Sequence, residues 1–141
     1  MKKALILVVL LSTLFAAEAG KLTVTILGLK SNEGTVKVAL YDKEKSYNDI
    51  KDKSGGPLKA VAAKPEKSQA VAVFENIPNG EYAIKLYHDS NANGKLDFNG
   101  FLPAENYGFS NNAMGLFGPP DWNASKFKFD DKNQTIEITV K

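Results

Sequence analysis

Apolar and polar residues alternate along most of the chain with the period of two that is typical of β-strands. Valine, leucine and isoleucine occupy every second position, and threonine, lysine or alanine stand between them. No predicted helix is long enough to cover a sheet, so the pattern indicates an all-β fold, a single antiparallel β-sandwich of six or seven strands. The predicted strands span residues 22–26, 36–40, 69–77, 82–87, 126–129 and 134–140, with a further short strand at 58–63 and a helical turn at 46–50.

Short turn sequences separate three pairs of these strands. Residues 31–34 contain Asn and Gly, residues 78–80 read Pro-Asn-Gly, and residues 130–133 contain two Asp and one Asn. Such residues favour tight reversals because Gly and Asn accept positive φ and Pro presets φ. The pattern therefore predicts three hairpins, one at each turn.

The first nineteen residues have the pattern of a cleavable signal peptide. Lys2 and Lys3 precede an apolar run at 4–15, and Ala17-Glu18-Ala19 supplies the small residues of a cleavage site. The run is about a dozen residues, shorter than the ~20 that a membrane-spanning helix needs. We therefore expect an exported protein, periplasmic or secreted, whose single domain is residues 20–141 and which does not insert into the membrane after cleavage.

Composition excludes several classes of partner. Removing Lys2, Lys3 and Glu18 from 18 basic and 16 acidic residues leaves a formal charge of +1. So small a charge gives no electrostatic basis for binding nucleic acid or an anionic membrane. The chain has no Arg, which provides bidentate recognition of phosphate, and no Cys, so disulfides do not stabilise the domain.

Residues 88–125 show no periodicity. A structureless loop of this length is unusual in a compact domain and is generally functional or disordered. Its many large apolar residues argue against disorder and predict that the segment packs against the sandwich. These residues are Phe98, Phe101, Tyr107, Phe109, Met114, Leu116, Phe117 and Trp122.

The beginning of this segment has the spacing of a calcium-binding loop. Oxygen-bearing side chains recur at every second position and are followed by a glycine, as in the first half of a helix-flanked calcium loop. The twelfth position is Gly100 instead of the usual Glu, and two charged ligands predict weak binding, ~10⁻⁴–10⁻³ M. Alternatively, the Asp and Asn residues only form turns. The predicted ligands are Asp89, Asn91, Asn93, the carbonyl of Lys95, Asp97 and, as an addition, Glu105.

The sequence around this loop resembles an uncharacterised exported bacterial family, domain of unknown function 2141. The resemblance is carried by residues 80–84, by the segment from His88 to Asp97, by residues 103–112 and by Gly118-Pro119-Pro120. It implies an extracytoplasmic sandwich similar to transthyretin-like or immunoglobulin-like modules. No activity is assigned to the family, and it implies no functional residues.

Two other functions are compatible with the sequence. A metal-free module could bind carbohydrate or protein through Tyr107, Asn111 and Trp122, which would require exposed ring faces. A hydrolase would need His88, the single histidine, beside Asp97 and Glu105 in an open cleft. Since a lone histidine lacks the usual catalytic partners, we expect His88 to fix the entry of the loop and assign no catalytic residue.

Overall fold

The computed structural model describes residues 19–49, 51 and 53–141. The predicted signal peptide lies outside these residues, apart from Ala19. The strands are β1 (Ala19–Leu27), β2 (Thr35–Tyr41), β3 (Lys59–Ala63), β4 (Gln69–Pro78), β5 (Gly80–Asp89), β6 (Phe98–Asn99), β7 (Leu102–Pro103), β8 (Tyr107–Phe109), β9 (Phe127–Phe129) and β10 (Asn133–Thr139), and the helices are α1 (Glu44–Asn48) and α2 (Trp122–Ser125).

Eight of the ten described strands form two packed sheets, which confirms the predicted all-β sandwich, and β6 and β7 form a separate two-stranded hairpin. One sheet has the order β10-β1-β4, and the other has the order β3-β2-β5-β8 with β9 also paired to β5. Alternate residues of each strand point inward, so the apolar positions of the sequence pattern meet between the sheets. The core includes Leu22, Val24, Ile26, Val36, Val38, Leu40, Phe74, Ile77, Ile84, Leu86 and Ile138.

The three predicted hairpins are wrong. Strand β1 pairs with β4 and β10, whereas β2 pairs with β3 and β5, so the turn at residues 31–34 passes from one sheet to the other. The turn at 78–80 likewise connects β4 and β5 of opposite sheets, and β9 and β10 pair with β5 and β1, respectively. The turns therefore connect layers of the sandwich and do not join neighbouring strands.

The sandwich is not purely antiparallel. Strand β10 runs parallel to β1 over the register from Lys21↔Asn133 to Leu27↔Thr139. Strand β1 consequently lies in the centre of its sheet, between an antiparallel and a parallel neighbour. The long segment also contains short strands that the sequence pattern did not predict, of which β8 extends the second sheet at its edge beside β5.

A small outer layer covers the second sheet. Helix α1, as predicted near 46–50, places Tyr47 against Trp122 of α2, with ring centroids 5.9 Å apart in an edge-on arrangement. Asp121 caps the N-terminus of α2, because its carboxylate accepts the backbone N–H of Ala124 at 2.9 Å. The ammonium of Lys85 lies 4.4 Å from the centroid of the Tyr47 ring and donates to the Tyr47 carbonyl.

Because of Tyr47, the stability of this layer should decrease at alkaline pH. Burial raises the pKa of Tyr47 to about 12, although its hydroxyl donates to Ser125 Oγ at 2.6 Å. In the unfolded chain the phenol ionises near ~10, so its stabilisation is complete below that pH and is lost as the pH approaches 12. We expect the free energy of unfolding to fall more steeply over this range in the native protein than in Tyr47→Phe, measured by denaturant unfolding. Identical alkaline profiles for the two proteins would contradict the assignment.

Candidate functional site

The candidate loop begins at the end of β5, where His88 and Asp89 are each 2 % exposed. The Nε2 atom of His88 lies 2.6 Å from the carbonyl oxygen of Glu33, and the His88 backbone N–H donates to the Asn106 carbonyl at 2.8 Å. Gly34, at φ +66°, lies against this strand end so closely that an added Cβ would be 2.0 Å from the Asp89 carbonyl oxygen. The contacts fit the expected role of His88 in fixing the loop entry.

The carboxylate of Asp89 organises the first turn of the loop. It accepts the backbone N–H of Asn93 at 3.0 Å through Oδ1 and that of Gly94 at 2.8 Å through Oδ2. Gly94 has φ +82°, a conformation that glycine adopts without the strain of a side chain. The hydroxyl of Tyr87 donates to the Gly94 carbonyl at 3.1 Å and holds the turn against the sheet. The chain thus curves around one buried carboxylate.

Two of the predicted ligands, Asn91 and Asn93, contact a third, the carboxylate of Asp97. The amide of Asn91 donates to Asp97 Oδ2 at 2.7 Å, and the amide of Asn93 donates to both carboxylate oxygens at 2.8 and 2.7 Å. These hydrogen bonds hold the pKa of Asp97 below its ordinary value, and those from Asn93 contribute more than the one from Asn91. The spacing in the sequence therefore produces a real convergence of polar groups at the mouth of the loop.

Glu105 does not join the side chains that contact the Asp97 carboxylate and instead accepts backbone N–H groups of the loop. Its Oε1 accepts the backbone N–H of Ser90 at 3.1 Å and its Oε2 accepts that of Asp97 at 3.1 Å. The backbone N–H of Ala104 also donates to the Asp97 carbonyl at 2.8 Å. Glu105 thus fastens the two ends of the excursion 90–105 to each other.

The donor set fits a hard cation. Oxygen ligands from carboxylates and amides suit calcium, whereas zinc prefers His and Cys. A half-turn of the terminal amides of Asn91 and Asn93 would exchange their nitrogens for oxygens facing the Asp97 carboxylate. Among residues 19–49, 51 and 53–141, no three His, Cys, Asp or Glu side chains are grouped closely enough to hold a metal ion. A site here would therefore depend on the two Asn side chains and, as predicted from sequence, on the Lys95 carbonyl.

The residues predicted for a metal-free binding platform do not share an open surface. Trp122 is 6 % exposed and packs in the outer layer, so its ring face is not available to a ligand. Asn111 is exposed, but its amide donates to the carbonyls of Ala124 at 3.2 Å and Lys126 at 2.8 Å. Tyr107 is half-buried and edge-on to Phe109, with centroids 6.0 Å apart. The aromatic rings and the Asn111 amide thus contact other residues of the same domain.

The geometry does not support the hydrolase alternative. That function needs His88 in an open cleft beside Asp97 and Glu105, and the imidazole is buried with its Nε2 directed at a backbone carbonyl. Glu105 accepts two backbone N–H groups, and Asp97 accepts amides of the loop. Each of the three groups thus has a structural hydrogen-bond partner in place of a substrate.

The sequence-based expectation that the long segment packs against the sandwich is wrong for most of its large apolar residues. Only Trp122 is buried, while Tyr107 and Phe109 are half-buried. The other residues are exposed to solvent, which apolar composition alone does not predict. The exposed side chains are Phe98, Phe101, Leu102, Met114, Leu116 and Phe117.

Fold and loop together define an all-β sandwich domain with a polar loop rich in Asn and Asp at one end of β5. The family model for an uncharacterized protein conserved in bacteria (DUF2141) matches residues 24–137, so the chain belongs to this bacterial family. No curated protein and no solved structure is significantly similar to it, and the transthyretin-like likeness therefore stays a prediction. In the part of the chain that the structure describes, no helix has the length and apolar character to cross a membrane.

Proposed function

We propose that the protein is an extracytoplasmic β-sandwich module whose loop from Asp89 to Asp97 binds calcium weakly, in a structural or recognition role. The observation that carries this proposal is the convergence of Asn91 and Asn93 on the Asp97 carboxylate, at 2.7–2.8 Å. Asp89 fixes the turn that carries Asn93, because its carboxylate accepts the backbone N–H groups of Asn93 and Gly94. Binding of a cation would require rotation of the two amides, whose oxygens now accept the backbone N–H groups of Asn93 at 3.3 Å and Lys95 at 3.1 Å.

The role of the ion would be to order the excursion at residues 90–105. This segment has few backbone hydrogen bonds to the sheets and is closed at its base chiefly by Glu105. Asp97 carries one negative charge at the mouth of the loop, while the carboxylates of Asp89 and Glu105 each accept backbone N–H groups. A divalent cation would neutralise this charge and fix the excursion in one conformation, which suits a recognition element.

The test is a thermal melt of the purified protein in chelator, in calcium and in magnesium. A ligand that binds only the folded state at 10–100 times its dissociation constant adds ~1.4–2.7 kcal/mol. At about 10 mM calcium, well above the weak range of such sites, we expect the melting temperature to rise by several degrees. Magnesium should have a smaller effect because it requires a tighter octahedral shell.

Asp97→Asn is the informative variant, because it removes one charge at a half-buried position with little change in the shape of the side chain. We expect it to abolish most of the calcium-induced rise in melting temperature. Asp130→Asn, an exposed carboxylate that pairs with Lys128 at 3.7 Å, is the matched control and should keep the full rise. No rise in the native protein at about 10 mM calcium would mean that the Asp and Asn residues are turn formers and would overturn the proposed calcium site.

A further inference from the structure

The excursion beyond Asp97 ends in a small apolar hairpin, formed by β6 and β7 and spanning residues 98–103, which we call the hairpin tip. Phe98 is 60 % exposed, Phe101 is 102 % exposed and Leu102 is 73 % exposed. None of the six residues is charged. Large side chains this exposed in a cluster mark interaction sites on soluble domains more often than chance positions.

The apolar side chains of the hairpin tip point in more than one direction. Phe98 is opposite Pro103, and Asn99 is opposite Leu102. Successive residues of a strand face opposite sides, so Phe98 and Leu102 lie on different faces, and Phe101 lies in the connecting turn. A flat partner would cover one face and leave the other in water. The arrangement suits an occupant that surrounds the tip.

The area of the hairpin tip also restricts its partner. With ~200 Å² for each large side chain when fully exposed, the three exposed fractions amount to roughly 450 Å² of apolar surface. A stable interface between folded proteins buries ~800 Å² on each side. The tip alone is too small for such an interface. Insertion into a lipid layer requires no minimum area, because each apolar side chain that leaves water contributes its own transfer free energy.

We propose that the hairpin tip docks into the interfacial layer of a lipid surface of low net charge. Phenylalanine and leucine on the apolar side of a peripheral element are the residues that enter this layer. The uncharged tip offers nothing to an anionic headgroup, and Asp97 and Glu105, directly behind it, are repelled by an anionic surface. The contact is shallow and peripheral, needs no spanning segment and does not depend on calcium binding.

The first test is flotation of the protein with phosphatidylcholine vesicles in the presence of chelator, which separates this proposal from the calcium site. Phe101→Ser should lower the vesicle partition coefficient by at least about tenfold, given the apolar area removed. Phe117→Ser is the matched control, since Phe117 is equally exposed at 102 % on a different loop, and it should change partitioning less than about twofold. The N-terminal apolar segment is the same in every variant, so differences between variants report the tip.

A second measurement places the tip in the lipid. In Phe101→Trp, brominated lipid should quench the new tryptophan, while the buried native Trp122 gives an unquenched reference in the parent protein. Equal partitioning of the native protein and Phe101→Ser, an equal loss in Phe117→Ser, or no quenching in Phe101→Trp would each overturn the proposal. Self-association in solution that is lost in Phe101→Ser would also overturn it, because the tip would then bind a second copy of the chain.

Discussion

Replacement of Trp122 by alanine should lower the free energy of unfolding by about 3–5 kcal/mol, as for other large aromatic residues removed from a buried position. The indole is 6 % exposed, packs edge-on against Tyr47 at 5.9 Å and belongs to the cluster that attaches α1 and α2 to the second sheet. Its backbone N–H also donates to Asn48 Oδ1 at 3.1 Å, which connects the two helices directly. Denaturant unfolding measures the change.

Phe117→Ala is the control for this prediction. Phe117 belongs to the same long segment and is 102 % exposed, so its removal should change the free energy of unfolding by less than about 0.5 kcal/mol. Equal effects of the two substitutions would show that Trp122 is not part of a packed layer. In that case the ring would be free to serve as the binding platform that the sequence suggested.

Gly34→Ala should lower the free energy of unfolding by about 3 kcal/mol or more. The left-handed conformation at φ +66° costs ~1–2 kcal/mol for a residue with a side chain, and overpacking adds ~1–3 kcal/mol. The overlap here is with backbone, since the added Cβ would be 2.0 Å from the Asp89 carbonyl oxygen and 2.8 Å from Ser90 Cα. Relief of this overlap requires movement of the strand end that carries the loop.

Gly94→Ala separates the two costs of Gly34→Ala, which are the strained backbone conformation and the steric overlap. Gly94 has φ +82°, and nothing lies within 4 Å of an added Cβ. It should therefore show the conformational cost alone, ~1–2 kcal/mol, in the same denaturant measurement. If Gly34→Ala were no more destabilising than Gly94→Ala, the close contact of Gly34 with the end of β5 would be contradicted.

The positions of the strands could be predicted from the sequence, but the neighbours of each strand could not. Alternation of apolar and polar residues reports which side of a strand faces the core, as for Val36, Val38 and Leu40, and this holds whatever strand lies alongside. A turn of three residues at 78–80 fits a hairpin and a crossing between sheets equally well. The parallel pairing of β1 with β10 depends on contacts between distant residues, which no local pattern records.

The same distinction applies to the site. The convergence of Asn91, Asn93 and Asp97 arises within a few residues of chain, so spacing alone predicted it. The burial of Trp122 depends on Tyr47, which comes from a helix far away in sequence, and the exposure of Phe101 depends on the direction in which a short hairpin leaves the sheet. Composition led to the same expectation of packing for both residues, which is right for Trp122 and wrong for Phe101.

The pairing of β1 with β10 has a consequence for how the chain folds. Strand β1 receives its parallel neighbour from β10, which follows all the other described strands along the chain, so this sheet cannot close before β10 is available. Contacts between residues so far apart make folding slow.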